Sequence, residues 1–390
     1  MEEKIINGVI VKNWASNLDD HAQKEIENLC QLPFIHHHLA LMPDAHGGKG
    51  MPIGGVLATK GVVVPNAVGV DIGCGMCAVK TNINVVDLTP DILRKGILRG
   101  IRKRIPLGRE HHKKNQDEKY MPQGFDIDSM TIVKRQIISA QKQIGTLGGG
   151  NHFIELQKDE TDNMWIMIHS GSRNLGKQVG DYYNEKAITL NRRWFSSVAP
   201  ELNLPFLPVK CDEFKQYWAE MEYCVAFALA NRSLMMERIK EAILEVLPDA
   251  QFDTMINIPH NYASWEEHFW EHCIVHRKGA TLATAGLTGI IPGSQGTCSY
   301  ITEGLGNPKS FNSCSHGAGR KLSRTEARNT LSLEEEVARL EKMGVVHAVR
   351  YKEDLDESTG AYKNIDEVME AQKDLVKIKT KLTPIAVIKG

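Results

Sequence analysis

Six short turns carry the side chains of this chain that are equipped for chemistry. Asp71 and Cys74 stand in DIGCGM, His152 follows the glycines of GGGNHFIE, and His169 opens HSGSRNLG. Further on, His260 opens HNYA, His276 opens HRKGAT and His316 lies in SHGAGR. Carboxylate, thiolate and imidazole are the groups that bind transition metals, and glycine beside them lets backbone and ligand approach closely. A single histidine is more often structural than a ligand, but several in similar turns point to one assembled site. By ligand type alone the set suggests zinc first, because manganese is a harder ion than a thiolate site favours. Residue type does not choose between His260 and His276. The run His36-His37-His38 sits between apolar neighbours and reads as incidental. Cys74 and Cys77 form a lone C-x-x-C with no second copy, which fits a ligand loop beside Asp71.

A second chemistry is written in the glycine loops. Residues 148–155, 292–295 and 316–320 can present successive backbone N–H groups to phosphate oxygens. Arg173, Arg320 and Arg324 can add forked, charge-assisted contacts. None of these loops is a Walker A sequence, and no GxGxxG follows a strand, so a nucleotide would be held by an unfamiliar fold. His316 differs from the metal candidates. Among small residues with Arg320 four positions on, its neutral imidazole could attack a phosphorus while the arginine balances charge.

Such side chains need elements that end in the right place. The apolar runs Met164–Ile168, Met255–Ile258 and Cys273–Val275 have strand length and stop just before His169, His260 and His276. Strands ending in polar loops put those loops at one rim of a sheet, where sites form in α/β proteins. The first 80 or so residues read as strands and loops, and helices are expected over 87–105, 131–144, 212–247, 332–343 and 364–379. At 390 residues, length alone suggests two or three domains. No apolar run reaches the ~18–20 residues of a membrane span. Eight cysteines without a dense pattern and no signal-peptide layout make a reduced, cytoplasmic setting the default. A net charge of −1 does not advertise nucleic-acid binding. Between Arg94 and Lys114, however, nine Lys and Arg face only Glu110, which keeps a phosphate-backbone surface in play.

Taken together, PDAHGGKG (43–50), the six turns above, PGSQGT (292–297) and the terminal VIKG (387–390) resemble the RtcB family of RNA ligases. The resemblance spans nearly the whole chain. It implies one α/β domain over residues 1–390, with mixed sheets, surrounding helices and a central metal and nucleotide cleft. It also implies joining of an RNA 3′-phosphate or 2′,3′-cyclic phosphate to a 5′-hydroxyl with GTP and two Mn²⁺ ions, in tRNA splicing or RNA repair. Residue by residue, Cys74 would bridge the ions, with Asp71 and His152 on one and His169 and His260 on the other. His316 would be the nucleophile that carries GMP. Asn151, Phe153, Glu155, Asn261, Pro292, Gly293, Ser294, Gln295, Ser299, Gly317, Ala318, Gly319, Tyr362 and Lys389 would hold the nucleotide. Arg173, Lys278, Arg320 and Arg324 would meet the RNA. Gln295 departs from the apolar residue expected there, and Cys77 is an extra thiol. The resemblance also implies an archease-like activator as a candidate partner. The rival within enzymes is a dinuclear phosphoesterase that cleaves RNA ends without sealing them. A non-catalytic RNA-binding subunit should show decay among these ligands, and all of them are present.

Overall fold

The computed structural model describes residues 1–390. Two mixed-length sheets carry the site, within a single compact α/β domain. One has six strands in the order Glu2–Ile6, Val9–Asn13, Ile35–Lys49, Met51–Thr59, Glu271–Lys278 and Asn261–His268. Its second and third strands run parallel and the other neighbours antiparallel. The other has seven strands in the order Ile256–Pro259, Gly75–Asn84, Asn163–Ser170, Phe153–Lys158, Val376–Lys389, Ser299–Gly304 and Thr288–Ile291. All of its pairs are antiparallel.

Both faces of the seven-stranded sheet are covered, which explains why its strands read as continuous apolar runs. On one face Cys77, Val79, Ile154, Leu156, Ile166 and Ile168 pack on Met235, Met236, Ile239 and Ile243 of the helix Asp212–Leu244. On the other, Met76, Ala78 and Met167 pack on Ile290, Ile301 and Leu382. Side chains alternate between faces along a strand, so Cys77 is committed to the core and cannot join Cys74.

Helices form at Thr131–Gln143, Asp212–Leu244 and Leu333–Lys342, within a few residues of expectation. Three readings need correction. The first eighty residues also hold the helix Asp20–Leu29, started by the Asp19 carboxylate accepting from the Ala22 N–H at 2.7 Å. The expected helix over 87–105 is a composite: a 3₁₀ turn at Val85–Asp87, a π-helix over Ile92–Leu98 and an α-helix over Arg99–Arg104. The expected helix over 364–379 ends at Ala371, and Val376–Lys389 is a strand. There Lys377, Lys379 and Lys381 alternate with Val376, Ile378 and Thr380, a period of two that belongs to a half-exposed strand.

Candidate active site

Strand register builds the floor of the site. Across four neighbouring strands Met76, His169, Phe153 and Lys389 pair in one row and therefore share one face. Cys74 immediately precedes the first of these strands, and His260 immediately follows Ile256–Pro259 at the sheet edge. The ends of these strands thus meet at one rim, as the apolar runs before His169 and His260 predicted, whereas His276 lies inside a strand of the other sheet. Backbone bonds fix the approach: His260 N–H donates to the Cys74 carbonyl at 2.8 Å and Gly73 N–H to the Asn261 carbonyl at 2.7 Å. The Asn261 side chain adds bonds to the Asp71 carbonyl (3.1 Å) and from the Gly279 N–H (2.7 Å). Gly148 has to be glycine, because a Cβ there would overlap His152 Nδ1 and the Arg173 guanidinium.

Donor atoms crowd together above this floor. Cys74 Sγ lies 3.3 Å from both His152 Nε2 and His169 Nε2, and His169 Nε2 lies 3.4 Å from His260 Nε2. His152 Nε2 is also 3.3 Å from an Asp71 carboxylate oxygen. Metal bonds of ~2.0–2.3 Å at tetrahedral angles separate neighbouring ligand atoms by roughly 3.5 Å, so the spacings of Cys74, His152 and His169 fit ligation of a metal ion. Burial, and next the Asp71 carboxylate, push the Cys74 thiol well above its ordinary pKa. Burial holds His169 and His260 well below theirs, so both are neutral with lone pairs free to bind. His276 is excluded by geometry. Its Nδ1 donates to the Leu57 carbonyl at 3.0 Å and its Nε2 accepts from the Val64 N–H at 3.0 Å. His36–His38 lie apart from the site, His38 stacking on Phe311 at 4.3 Å.

His316 faces the cluster, its ring centroid 4.8 Å from that of His260. It follows the strand Ser313–Ser315, which pairs with Ala280–Leu282. Wholly buried Asp44 holds it: one carboxylate oxygen accepts from His316 Nδ1 at 2.6 Å, from the His316 N–H at 3.1 Å and from the Gly317 N–H at 3.3 Å. Burial opposes the Asp44 charge, but His316, His46 and Lys363 together outweigh it and lower its pKa. With the proton fixed on Nδ1, the Nε2 lone pair of His316 points away from Asp44.

A cavity of about 420 Å³ joins His316 to the Cys74 cluster. Its walls include Asp71, Cys74, Asn151, Phe153, Glu155, His169, His260, Asn261, Lys278, the stretch Pro292–Gln295, the stretch His316–Arg320, Arg324, Tyr362 and Lys389. His152, Arg173 and Ser299 stand behind the wall. Ser299 accepts from Gln157 at 3.0 Å and from the Gly293 N–H at 3.2 Å. Arg173, held at φ 59°, donates to Thr146 Oγ1 (2.9 Å) and the Gly108 carbonyl (2.8 Å). Lys278 Nζ donates to the carbonyls of Lys49 (2.7 Å) and Asn66 (3.1 Å), and burial brings it down to about 8. Burial raises the Glu155 carboxyl to about 8, with the Lys389 ammonium and a Gln157 hydrogen bond opposing it. Gln295 earns its place by donating to the Glu357 carbonyl at 2.9 Å.

Four contributors were not singled out from the sequence. Glu357 binds Arg324 (2.8 Å), Arg320 (3.1 Å) and the Tyr362 hydroxyl. Asp44 lay inside a quoted motif without a role. His46 lines the cavity, its Nδ1–H donating to the Asp44 carbonyl at 2.9 Å. Arg232, wholly buried in the long helix, ties the Gly73 carbonyl (3.0 Å) to the Ser170 carbonyl (2.8 Å) and so clamps the loops of Cys74 and His169. Asn231-Arg232 interrupting the apolar stretch from Phe227 to Met236 was the available signal.

The profile of the family described as tRNA-splicing ligase RtcB matches residues 25–390. The chain is 38% identical to the RNA-splicing ligase RtcB of Escherichia coli K12 over 402 residues, covering 97% of each protein. It is 30% identical to the tRNA-splicing ligase RtcB of Thermococcus kodakarensis over 443 residues, covering 95% of this chain and 91% of that one. No helix is long and apolar enough to cross a membrane. A catalytic centre assembled from both sheets and a match of this length lead to one conclusion: the chain belongs to the RtcB family and is an RNA ligase.

Proposed function

We propose that this ligase joins an RNA 3′-phosphate or 2′,3′-cyclic phosphate end to a 5′-hydroxyl end, using GTP and a guanylate carried on His316. The observation that carries this reading is the Asp44–His316 pair, at 2.6 Å, facing the Cys74 cluster across one cavity. When bound, two Mn²⁺ ions, one on Asp71, Cys74 and His152 and one on Cys74, His169 and His260, would neutralise the triphosphate and orient it.

Asp44 keeps the His316 proton on Nδ1, so Nε2 attacks the α-phosphorus of GTP. A nitrogen–phosphorus bond forms and the bond to pyrophosphate breaks, with Asp44 balancing the imidazolium charge. A phosphate oxygen of the RNA 3′ end then takes the guanylate and frees His316. Finally the 5′-hydroxyl attacks that 3′-phosphorus, loses its proton and expels GMP. A cyclic end is first opened by water at the same centre. Glu155 and Lys389 complement guanine: the Glu155 carboxyl, giving up its proton as the base binds beside the Lys389 ammonium, accepts from N1–H and the amino group, and the ammonium donates to O6. The N–H groups of residues 292–295 and 317–319 suit phosphate oxygens. Glu357 holds Arg320 and Arg324 as a fixed pair for RNA phosphates, with Lys278 also lining the cavity and Arg173 behind its wall.

The phosphoesterase alternative would need the metal ligands but neither Asp44 nor His316, and the short bond between them favours ligation. The eight free cysteines fit a reduced, cytoplasmic setting. An RNA carrying a 3′-phosphate and a 5′-hydroxyl, incubated with GTP and Mn²⁺, should be sealed and the product should resist phosphatase. Opening of a cyclic end without sealing would instead support the phosphoesterase. The same assay without any added protein tests dependence on an archease-like activator.

A further inference from the structure

The catalytic cavity is not the only place where cations gather. A groove of about 410 Å³ lies between the helical segment 92–104 and the stretch Val346–Arg350, lined by Arg94, Arg99, Arg102, Lys103, Arg350 and His347. No carboxylate lines it; Asp354 accepts from the Arg350 backbone N–H at 2.8 Å, and Glu341 acts electrostatically on His347. The pairing of neighbouring residues makes this distinctive. On the same segment Lys95 is bound to Asp91, and Arg104 to Glu241 and Glu245. The five permanent cations of the groove have no ion pair or side-chain hydrogen bond of their own, although the chain carries slightly more acids than bases.

Local structure gathers them. The π-helix over Ile92–Leu98 adds about one residue to a turn. That brings Arg94 round into the row of Leu98 and Arg102, where an unbroken α-helix would turn it toward the flank. Gly96 permits the close packing beneath, since a Cβ there would lie 3.0 Å from Val246. The far wall is tied to the active site. Val346 N–H donates to the Ile385 carbonyl at 2.9 Å and Val387 N–H to the Val346 carbonyl at 2.8 Å, beside the strand that ends in Lys389. Val346 bridges Ala386, three residues from Lys389 and so about 10 Å along the strand.

We propose that this groove is a second RNA-binding site, which grips the phosphate backbone of the strand beyond the end being sealed. This rests on the RNA-ligase reading of the cavity. Four arginines to one lysine suit forked contacts with phosphate. With no Phe, Tyr or Trp in the lining, the groove suits backbone rather than base contacts.

The test compares the intact enzyme with Arg99→Ala/Arg102→Ala and with Arg99→Glu/Arg102→Glu. Lys215→Ala/Lys373→Ala removes equal charge at exposed, already paired positions and serves as the control. Binding is measured by fluorescence anisotropy on single-stranded RNAs of about 20 and about 5 nucleotides over a salt series. For the long RNA, Kd should weaken roughly tenfold in the alanine pair and further in the glutamate pair. The slope of log K against log salt should become shallower by about 0.7 per lost phosphate contact. Binding of the short RNA, guanylylation of His316 and the thermal midpoint should not move. Wild-type affinity and slope in both variants would overturn the proposal and leave the groove to an acidic protein surface. Absence of salt-dependent RNA binding by the unaltered enzyme would be a different failure, that of the ligase reading itself.

Discussion

On the sheet side of the cavity, imidazoles and a thiol stand 3.3–3.4 Å apart, with one thiol proton to share between His152 and His169 and with the Nδ1 atoms of His152 and His260 unpartnered. On the loop side, charge is already matched: Glu357 holds Arg320 and Arg324, and Asp44 holds His316. The two walls accordingly do different work. Donors lacking good internal partners are free to bind cations, whereas groups that already have partners are fixed in position and protonation state. A substitution on the first wall should remove a cation; on the second it should leave the cation and spoil orientation.

The largest effect is expected from Cys74→Ala, because one thiol serves both proposed ions. Bound metal measured by elemental analysis should fall to background, and sealing should drop by about 10³-fold or more. Retained metal would break the contrast between the walls. Asp44→Asn should keep its metal yet slow guanylylation by about 10²-fold, since the amide no longer fixes the His316 proton on Nδ1. Equal loss of metal in this variant would show that the walls are not separable. Glu357→Gln leaves two guanidiniums and a buried tyrosine hydroxyl without their anion. Because Arg324 is half exposed, about 1–3 kcal/mol of stability should be lost rather than the full cost of breaking a buried pair. A thermal melt reads that loss, and the KM for GTP should rise more than kcat falls.

Glu155 sharpens the comparison through pH. Its carboxyl is raised from the usual 4.5 to about 8 by burial. The folded chain therefore holds a proton there that the unfolded chain gives up. That contribution to stability is complete below about pH 4.5 and is lost as pH rises through about 8. Glu155→Gln should flatten this part of the melting profile and relax the preference for guanine over adenine. The smallest effect on activity belongs to His276→Gln. It keeps an amide oxygen within reach of the Val64 N–H, so little stability should be lost and metal content should stay at the wild-type level.

The cluster of Cys74, His152 and His169 was legible in the sequence because each of them sits where a strand meets a turn, and strand alternation then dictates the face. Even so, the residues alone left His260 and His276 equivalent. Only the packing of His276 between Leu57 and Val64, more than 200 positions away, separates them. Glu357 and Arg232 were not legible for the same reason. Their roles depend on partners brought together by tertiary packing, and neither lies in a glycine turn. The misread helix over 364–379 has a local cause. Lysines spaced every second residue satisfy a strand, yet a stretch this short also tolerates a helical reading.

The most direct test incubates the protein with Mn²⁺ and GTP labelled at the α-phosphate, comparing wild type with His316→Ala. The account predicts an acid-labile, alkali-stable protein–GMP adduct in wild type and none in the variant, with equal metal in both. An adduct that persists in His316→Ala, or a wild type that never labels while opening cyclic phosphate ends, would contradict it.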